Sequence, residues 1–85
     1  MTQTSINYAT VLYELEIPKE IIDETERIFT ENDILYKSLV SPIVSKNSKD
    51  NIIDRVFPKE MHNFLKVLCH YNSIDYIYEI FDEYK

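Results

Sequence analysis

The feature that most constrains this sequence is the absence of glycine: none of its 85 residues is a glycine. Two-residue β-hairpin turns of the primed types usually need glycine, because their backbone takes positive φ angles. The glycine-rich loops that cradle phosphates need the same freedom. The chain is therefore poorly suited to tight hairpins, and we expect no nucleotide site of either common glycine-rich type.

Apolar residues recur every three or four positions along the chain, which is the period of an amphipathic helix. Polar capping residues and prolines divide this pattern into short segments. We therefore predict an all-α fold, a compact six-helix bundle that forms a single domain over residues 1–85. The predicted helices run from Thr4 or Ser5 to about Leu15, from Pro18, from Asn32 to Ser41, from Ser45 or Ser48 to about Phe57, from Pro58 to about Tyr71, and from Ser73.

Each predicted helix has an apolar stripe. On the first helix the stripe is Tyr8, Val11, Leu12 and Leu15, and Ile6, Ala9 and Tyr13 lie on a second side, so this helix is apolar on more than one face. On the second to fifth helices we expect the stripe to face the core: Ile21, Ile22, Thr25, Ile28 and Phe29; Ile34, Leu35 and Leu39; Ile52, Ile53, Val56 and Phe57; and Met61, Phe64, Leu65 and Leu68. The last helix carries Ile74, Ile77, Ile80, Phe81 and Tyr84.

Charge and composition exclude some classes of binding partner and bear on where in the cell the protein acts. The formal net charge is −6, so nucleic acid and anionic membrane surfaces, which reward clustered basic residues, are poor candidates. No apolar run is long enough to insert into a bilayer, and the first residues lack the features of a signal peptide. The single cysteine allows no internal disulfide, which favours a reducing, cytoplasmic setting.

The reactive side chains of the sequence form no arrangement that is typical of a catalytic site. His62 and His70 are eight positions apart on one predicted helix, about 12 Å, which is too far to share a metal ion. We expect Cys69 to be structural, and the acidic groups lack the spacing of a calcium loop. We therefore expect a protein that is not an enzyme and has no cofactor or metal. The alternative is a small regulatory module that senses metal or redox state through Cys69 and His70.

The first and fifth predicted helices carry more apolar residues than one stripe requires. On the fifth helix Phe64, Val67 and Tyr71 form a second apolar flank beside the core line. A surplus of this kind suggests a groove for another amphipathic helix. The alternative, with equal weight on these grounds, is that a very small bundle covers these two helices on all sides.

Five motifs, in order across about residues 6–84, resemble the delta subunit of F-type ATP synthase, the bacterial counterpart of the oligomycin-sensitivity-conferring protein. They are Tyr8-Ala9-x-x-Leu12-Tyr13-Glu14-Leu15, Leu39-Val40-Ser41-Pro42-Ile43, Lys49-x-x-Ile52-Ile53, Asn63-Phe64-Leu65-Lys66-Val67-Leu68 and Ile77-x-x-Ile80-x-x-x-Tyr84. The resemblance implies the N-terminal domain of that family, itself a six-helix bundle.

The resemblance also implies a partner and a site. In that family a groove between the first and fifth helices holds the amphipathic N-terminal helix of an alpha subunit. Tyr8, Val11 and Val67 match groove positions of the family, and the helical wheel adds Leu15, Phe64 and Tyr71 to the partner-binding groove.

By the same resemblance the domain is a non-catalytic stator or adaptor. It links the F1 head to the peripheral stalk, on the cytoplasmic side of the cell membrane, and so supports proton-driven ATP synthesis. The family chain is about twice as long, and we expect the C-terminal part that contacts the b subunits to be absent here. Asn72-Ser73 stands where the family usually has Gly-Arg, so we expect the turn before the last helix to be held without that guanidinium.

Overall fold

The computed structural model describes residues 2–85, which form six α-helices and two single 3₁₀ turns. The helices are α1 (Gln3–Glu14), α2 (Lys19–Glu31), α3 (Asp33–Val40), α4 (Lys46–Val56), α5 (His62–His70) and α6 (Ile77–Tyr84), and the 3₁₀ turns Lys59–Met61 and Ile74–Tyr76 precede α5 and α6. The predicted all-α, six-helix fold is confirmed. None of the described helices combines the length and apolar character needed to cross a membrane.

Local hydrogen bonds decide where the helices begin, and they correct several predicted caps. Thr2 caps α1: its hydroxyl accepts from the Ser5 amide at 3.1 Å, and the Ser5 hydroxyl accepts from the Thr2 amide at 3.2 Å. This capping box places the start of α1 before the predicted Thr4 or Ser5, since both partners of the box are satisfied only in that register. Ser45, rather than Ser48, caps α4 by accepting from the Ser48 amide.

Three other predicted helix starts are different in the structure. Asn32 does not cap α3; its side-chain amide donates to the Ile28 carbonyl at 2.9 Å and so closes the end of α2. Pro58 precedes a 3₁₀ turn instead of the α-helix itself, and Ser73 makes no capping bond to the turn that it precedes.

Two helices end in a left-handed residue where most proteins place glycine. Glu16 and Asn72, each with φ of 55°, follow α1 and α5. After α5 the Asn72 amide donates to the Cys69 carbonyl at 3.1 Å, and the Ser73 amide donates to the Leu68 carbonyl at 2.8 Å. This pair of bonds is a Schellman closure. The turn is therefore held by backbone bonds and needs no arginine at Ser73.

The core is apolar and is built around one aromatic cluster. Phe29 of α2 is fully buried, with its ring centroid 4.8 Å from that of Phe57 and 6.4 Å from those of Tyr36 and Tyr78. The Tyr78 hydroxyl donates to the Phe29 carbonyl at 3.2 Å, so its polar end is satisfied. Around this cluster α1 packs along α6, and α4 packs along α5.

Ile34 and Val56 were predicted to face the core, and the structure shows that this is wrong. Ile34 is 81% exposed and Val56 is 43% exposed. Each lies one position, about 100° of helical rotation, from a side chain that does face inward: Leu35 on α3 and Phe57 at the end of α4. Helices this short contact the core along one narrow side, so the second apolar residue of each stripe remains outside.

We predict that Phe29→Ala will lower the free energy of unfolding by about 3–5 kcal/mol, because it removes the centre of the aromatic cluster and leaves a cavity. Urea unfolding followed by circular dichroism measures the change. Ile34→Ala removes an exposed side chain and should stay within about 0.5 kcal/mol of the parent. A Phe29→Ala loss below about 1 kcal/mol would contradict the packing described; Phe29→Leu gives a milder variant if the alanine protein does not fold.

We also predict that Glu16→Gly will raise the free energy of unfolding by about 0.5–1 kcal/mol, since glycine takes a left-handed conformation without the steric penalty that glutamate has. Asn72→Gly should raise it less, because asparagine tolerates this conformation better than glutamate. Thermal unfolding of both variants beside the parent provides the comparison. Destabilisation by Glu16→Gly would show that the glutamate side chain has a structural role that outweighs its backbone strain.

Candidate partner-binding groove

One aromatic contact brings α1 and α5 together. The rings of Tyr8 and Phe64 meet edge to face, with centroids 6.3 Å apart and planes at 85°. Phe64 is 5% exposed and Tyr8 is half-buried, so the pair lies at the base of the groove that the sequence predicts between the two helices. Edge-to-face pairs of this kind are favourable beyond the area that they bury, and they fix the relative rotation of two helices.

The walls of this groove are apolar and exposed. Val11 and Leu15 follow Tyr8 by three and seven positions on α1, and Val67 and Tyr71 follow Phe64 by the same intervals on α5. These spacings place each set along one side of its helix. The exposed fractions are 47% for Val11, 51% for Leu15, 44% for Val67 and 72% for Tyr71. Within residues 2–85 the bundle therefore does not cover this face of the two helices.

The exposed side of α5 borders an open cleft of about 560 Å³, to which α1 contributes no lining residue. Val67 and Tyr71 give it an apolar side, and Asn63, Lys66 and His70 give it a polar rim. The sequence predicted the apolar side but not the polar rim. Helical spacing places Lys66 and His70 on one side of α5, and the structure shows that this side faces α4.

Ion pairs from α4 hold the polar rim of α5 in place. The Lys66 ammonium donates to Asp54 at 2.7 Å, and His62 Nδ1 lies 3.3 Å from the same Asp54 oxygen. One turn away, His70 Nε2 lies 3.4 Å from Asp50. The hydrogen bond from Lys66 lowers the pKa of the Asp54 carboxyl group, which the nearby charges of Lys66 and His62 lower further.

A fourth contact joins the start of α4 to the end of α5: the Lys46 ammonium donates to the His70 carbonyl at 2.9 Å. A cation at this position interacts favourably with the negative end of the α5 dipole. Together these contacts fix α5 against α4 on the side opposite α1, so the wall that carries Val67 is backed by a second helix.

Cys69 and His70 do not form a common site. Cys69 is 1% exposed and lies in the core, where burial raises the pKa of its thiol to about 11, while His70 is on the surface. A thiol with so high a pKa is protonated near neutral pH and is a weak nucleophile and metal ligand. In the described residues 2–85, His, Cys, Asp and Glu side chains form no group of three or more that fits a metal ion. The regulatory alternative therefore gains no support.

We predict that the α4–α5 contact weakens in acid. Because the pKa of Asp54 is lower in the folded state, its carboxylate stabilises the fold above its unfolded pKa of about 3.9, and that stabilisation is lost as the pH falls through the folded pKa. Asp54→Asn should therefore be less stable than the parent at neutral pH, and the difference should shrink below about pH 4. Glu83→Gln, in an exposed residue of α6, is the control for the pH dependence of urea unfolding. A difference that is constant with pH would contradict the assigned ion pair.

Comparison with known proteins agrees with this architecture. The family model described as "ATP synthase delta (OSCP) subunit" matches residues 5–85. The curated protein "ATP synthase subunit delta" of Clostridioides difficile (strain 630) is 44% identical over 54 residues, which cover 59% of this chain and 30% of that protein. No solved structure gives a match. Since the family match spans nearly all of the described helices, the chain belongs to the ATP synthase delta (OSCP) subunit family.

Proposed function

We propose that this domain is a non-catalytic stator adaptor of F-type ATP synthase, and that the groove between α1 and α5 binds the amphipathic N-terminal helix of an alpha subunit. The family to which the chain belongs consists of structural, non-catalytic subunits of that complex. The observation that supports the proposal is that apolar side chains of both helices stay exposed beside the Tyr8–Phe64 contact.

The shape of the groove fits a short amphipathic helix. Each wall extends over seven positions, about 10.5 Å of helix, which matches about two turns of a partner. The partner needs an apolar stripe at intervals of three or four residues to fill the space between the walls. Burial of the half-exposed Val11, Leu15 and Val67 side chains supplies the driving force.

The charge of the domain also affects this association. Residues 1–30 hold six acidic and two basic side chains, of which only Glu14 lies on α1. A partner helix with basic residues is therefore attracted by the net acidic charge of the domain as a whole. Such attraction acts mainly on the rate of encounter and on the choice of partner, while the apolar stripe determines how long the complex persists.

The role that follows is mechanical. An alpha subunit held in the groove is tied to whatever the rest of the delta chain contacts, so the F1 head resists the torque of the rotor and that torque drives ATP synthesis. We assign contact with the b subunits of the peripheral stalk to parts of the family chain outside this segment. The domain acts at the periphery of the membrane-bound complex, on the cytoplasmic side.

The test is a titration with a synthetic peptide that copies the alpha-subunit N-terminal segment of the same organism, followed by calorimetry. Val67→Asp places a charge on the apolar wall, and we predict that it weakens binding at least about tenfold, since the carboxylate loses its water on docking without gaining a partner. Circular dichroism confirms that the variant is folded.

The chain offers a closely matched control for this experiment. Val56 is 43% exposed, almost the same fraction as Val67, but it lies on α4 outside the groove. Val56→Asp should therefore bind the peptide as the parent does, to within about twofold. Failure of the parent to bind, or equal effects of the two substitutions, would contradict the proposed site.

A further inference from the structure

Lys49 is the one charged residue that is buried in the part of the chain that the structure describes: it is only 5% exposed. Lysine is almost never buried without a partner, because moving an unpaired ammonium group from water into the protein interior is costly. Within residues 2–85, however, the Lys49 ammonium forms no ion pair and donates no hydrogen bond to a protein group, whereas those of Lys37 and Lys66 pair with carboxylates. Its burial is therefore not compensated by a direct contact with the protein.

The charges around Lys49 do not replace such a contact. The next residue, Asp50, is directed towards α5, where its carboxylate lies 3.4 Å from His70 Nε2. Lys49 itself lies in the first turn of α4, near the positive end of the helix dipole, which disfavours a cation. Burial raises the pKa of the Cys69 thiol and the charge of Lys49 opposes this effect, so the ammonium lies close to the core.

Lys49 lines a small cavity of about 170 Å³, between the end of α3, the start of α4 and the turn before α6. Its volume equals that of about five water molecules, which leaves room for a carboxylate group. Asn72 also lines the cavity and uses its backbone amide for the closure of α5, so its side-chain amide is available as a second donor. The other lining residues are three apolar side chains and one exposed carboxylate: Leu39, Val40, Ile74 and Asp75.

We propose that this cavity is a binding site for one carboxylate group, which accepts hydrogen bonds from the Lys49 ammonium and the Asn72 side-chain amide. A charge-assisted bond of this kind compensates the ammonium for the water that it loses on burial. The carboxylate belongs either to a small free acid or to an Asp or Glu side chain of another protein. The inference does not rest on the proposed function, because the cavity shares no residue with the groove between α1 and α5.

The surroundings of the cavity favour one negative charge over two. α3 ends at Val40, so the negative end of its dipole adjoins the cavity. Asp75 is exposed at the same cavity and repels further negative charge. These groups offset part of the Lys49 charge without bonding to it. A monoanion such as a carboxylate is therefore accommodated, whereas sulfate or a phosphate dianion is repelled.

The test is a titration of the whole chain with sodium acetate at constant ionic strength, followed through the amide resonances of Asn72 and Asp75. We expect saturable shifts in the parent. Lys49→Met keeps the length of the side chain and removes its charge, and it should weaken acetate binding at least about tenfold. Replacement of a buried charge by an apolar side chain is often neutral or stabilising, so we expect this variant to fold. Lys59→Met is the control, because Lys59 is exposed outside the cavity, and it should bind acetate to within about twofold of the parent.

A second variant tests the site without removing Lys49. Asp75→Asn eliminates the like charge beside the cavity, and it should strengthen acetate binding about 2–5-fold. Absence of saturable shifts in the parent, equal acetate affinity in the parent and Lys49→Met, or sulfate binding as tight as acetate binding would each overturn the proposal. The blocked glutamate N-acetylglutamate N-methylamide identifies the source. If it binds as acetate does, the site admits a protein side chain; if acetate alone binds, the site is for a free acid.

Discussion

The position of α5 is the constraint on which the rest of the molecule depends. Its inner side supplies Leu65 and Leu68, both fully buried, to the core. Its α4 side is fixed by the Asp54–Lys66 ion pair, and its end is closed by the backbone bonds around Asn72. What remains for α1 is contact with the side that carries Phe64, because the core and α4 already occupy two other sides of α5.

Because α5 is held in place, the exposed side chains on it are preorganised for contact with a partner. Side chains on a mobile helix would lose conformational freedom on docking, whereas those on a clamped helix have already lost most of it during folding. The Asn72 closure matters in the same sense, because its two backbone hydrogen bonds fix the residues that follow Tyr71. The chain accomplishes this without glycine by using asparagine, one of the few other residues that accept a left-handed conformation.

The sequence predicted those features that depend on local spacing. The apolar period indicated six helices, and the second apolar flank of the fifth helix included Val67 and Tyr71, which the structure leaves exposed, whereas Phe64 of the same flank is buried. Features that depend on neighbours were not predictable in this way. Whether Ile34 or Leu35 faces the core is decided by where α2 and α4 lie, and the choice between Thr2 and Thr4 as cap is decided by a reciprocal bond to Ser5.

The acidic net charge offsets a disadvantage of the exposed apolar surface, which is its tendency to self-associate. A domain of this size buries a smaller share of its surface than larger proteins do, so leaving apolar side chains such as Val11 and Leu15 outside the core reduces an already limited hydrophobic stabilisation. Such a surface also tends to associate with copies of itself. The net charge of −6 opposes that association, since two copies repel each other, while it attracts a basic helix. Under the proposed function, the charge therefore favours a basic partner helix over a second copy of the domain.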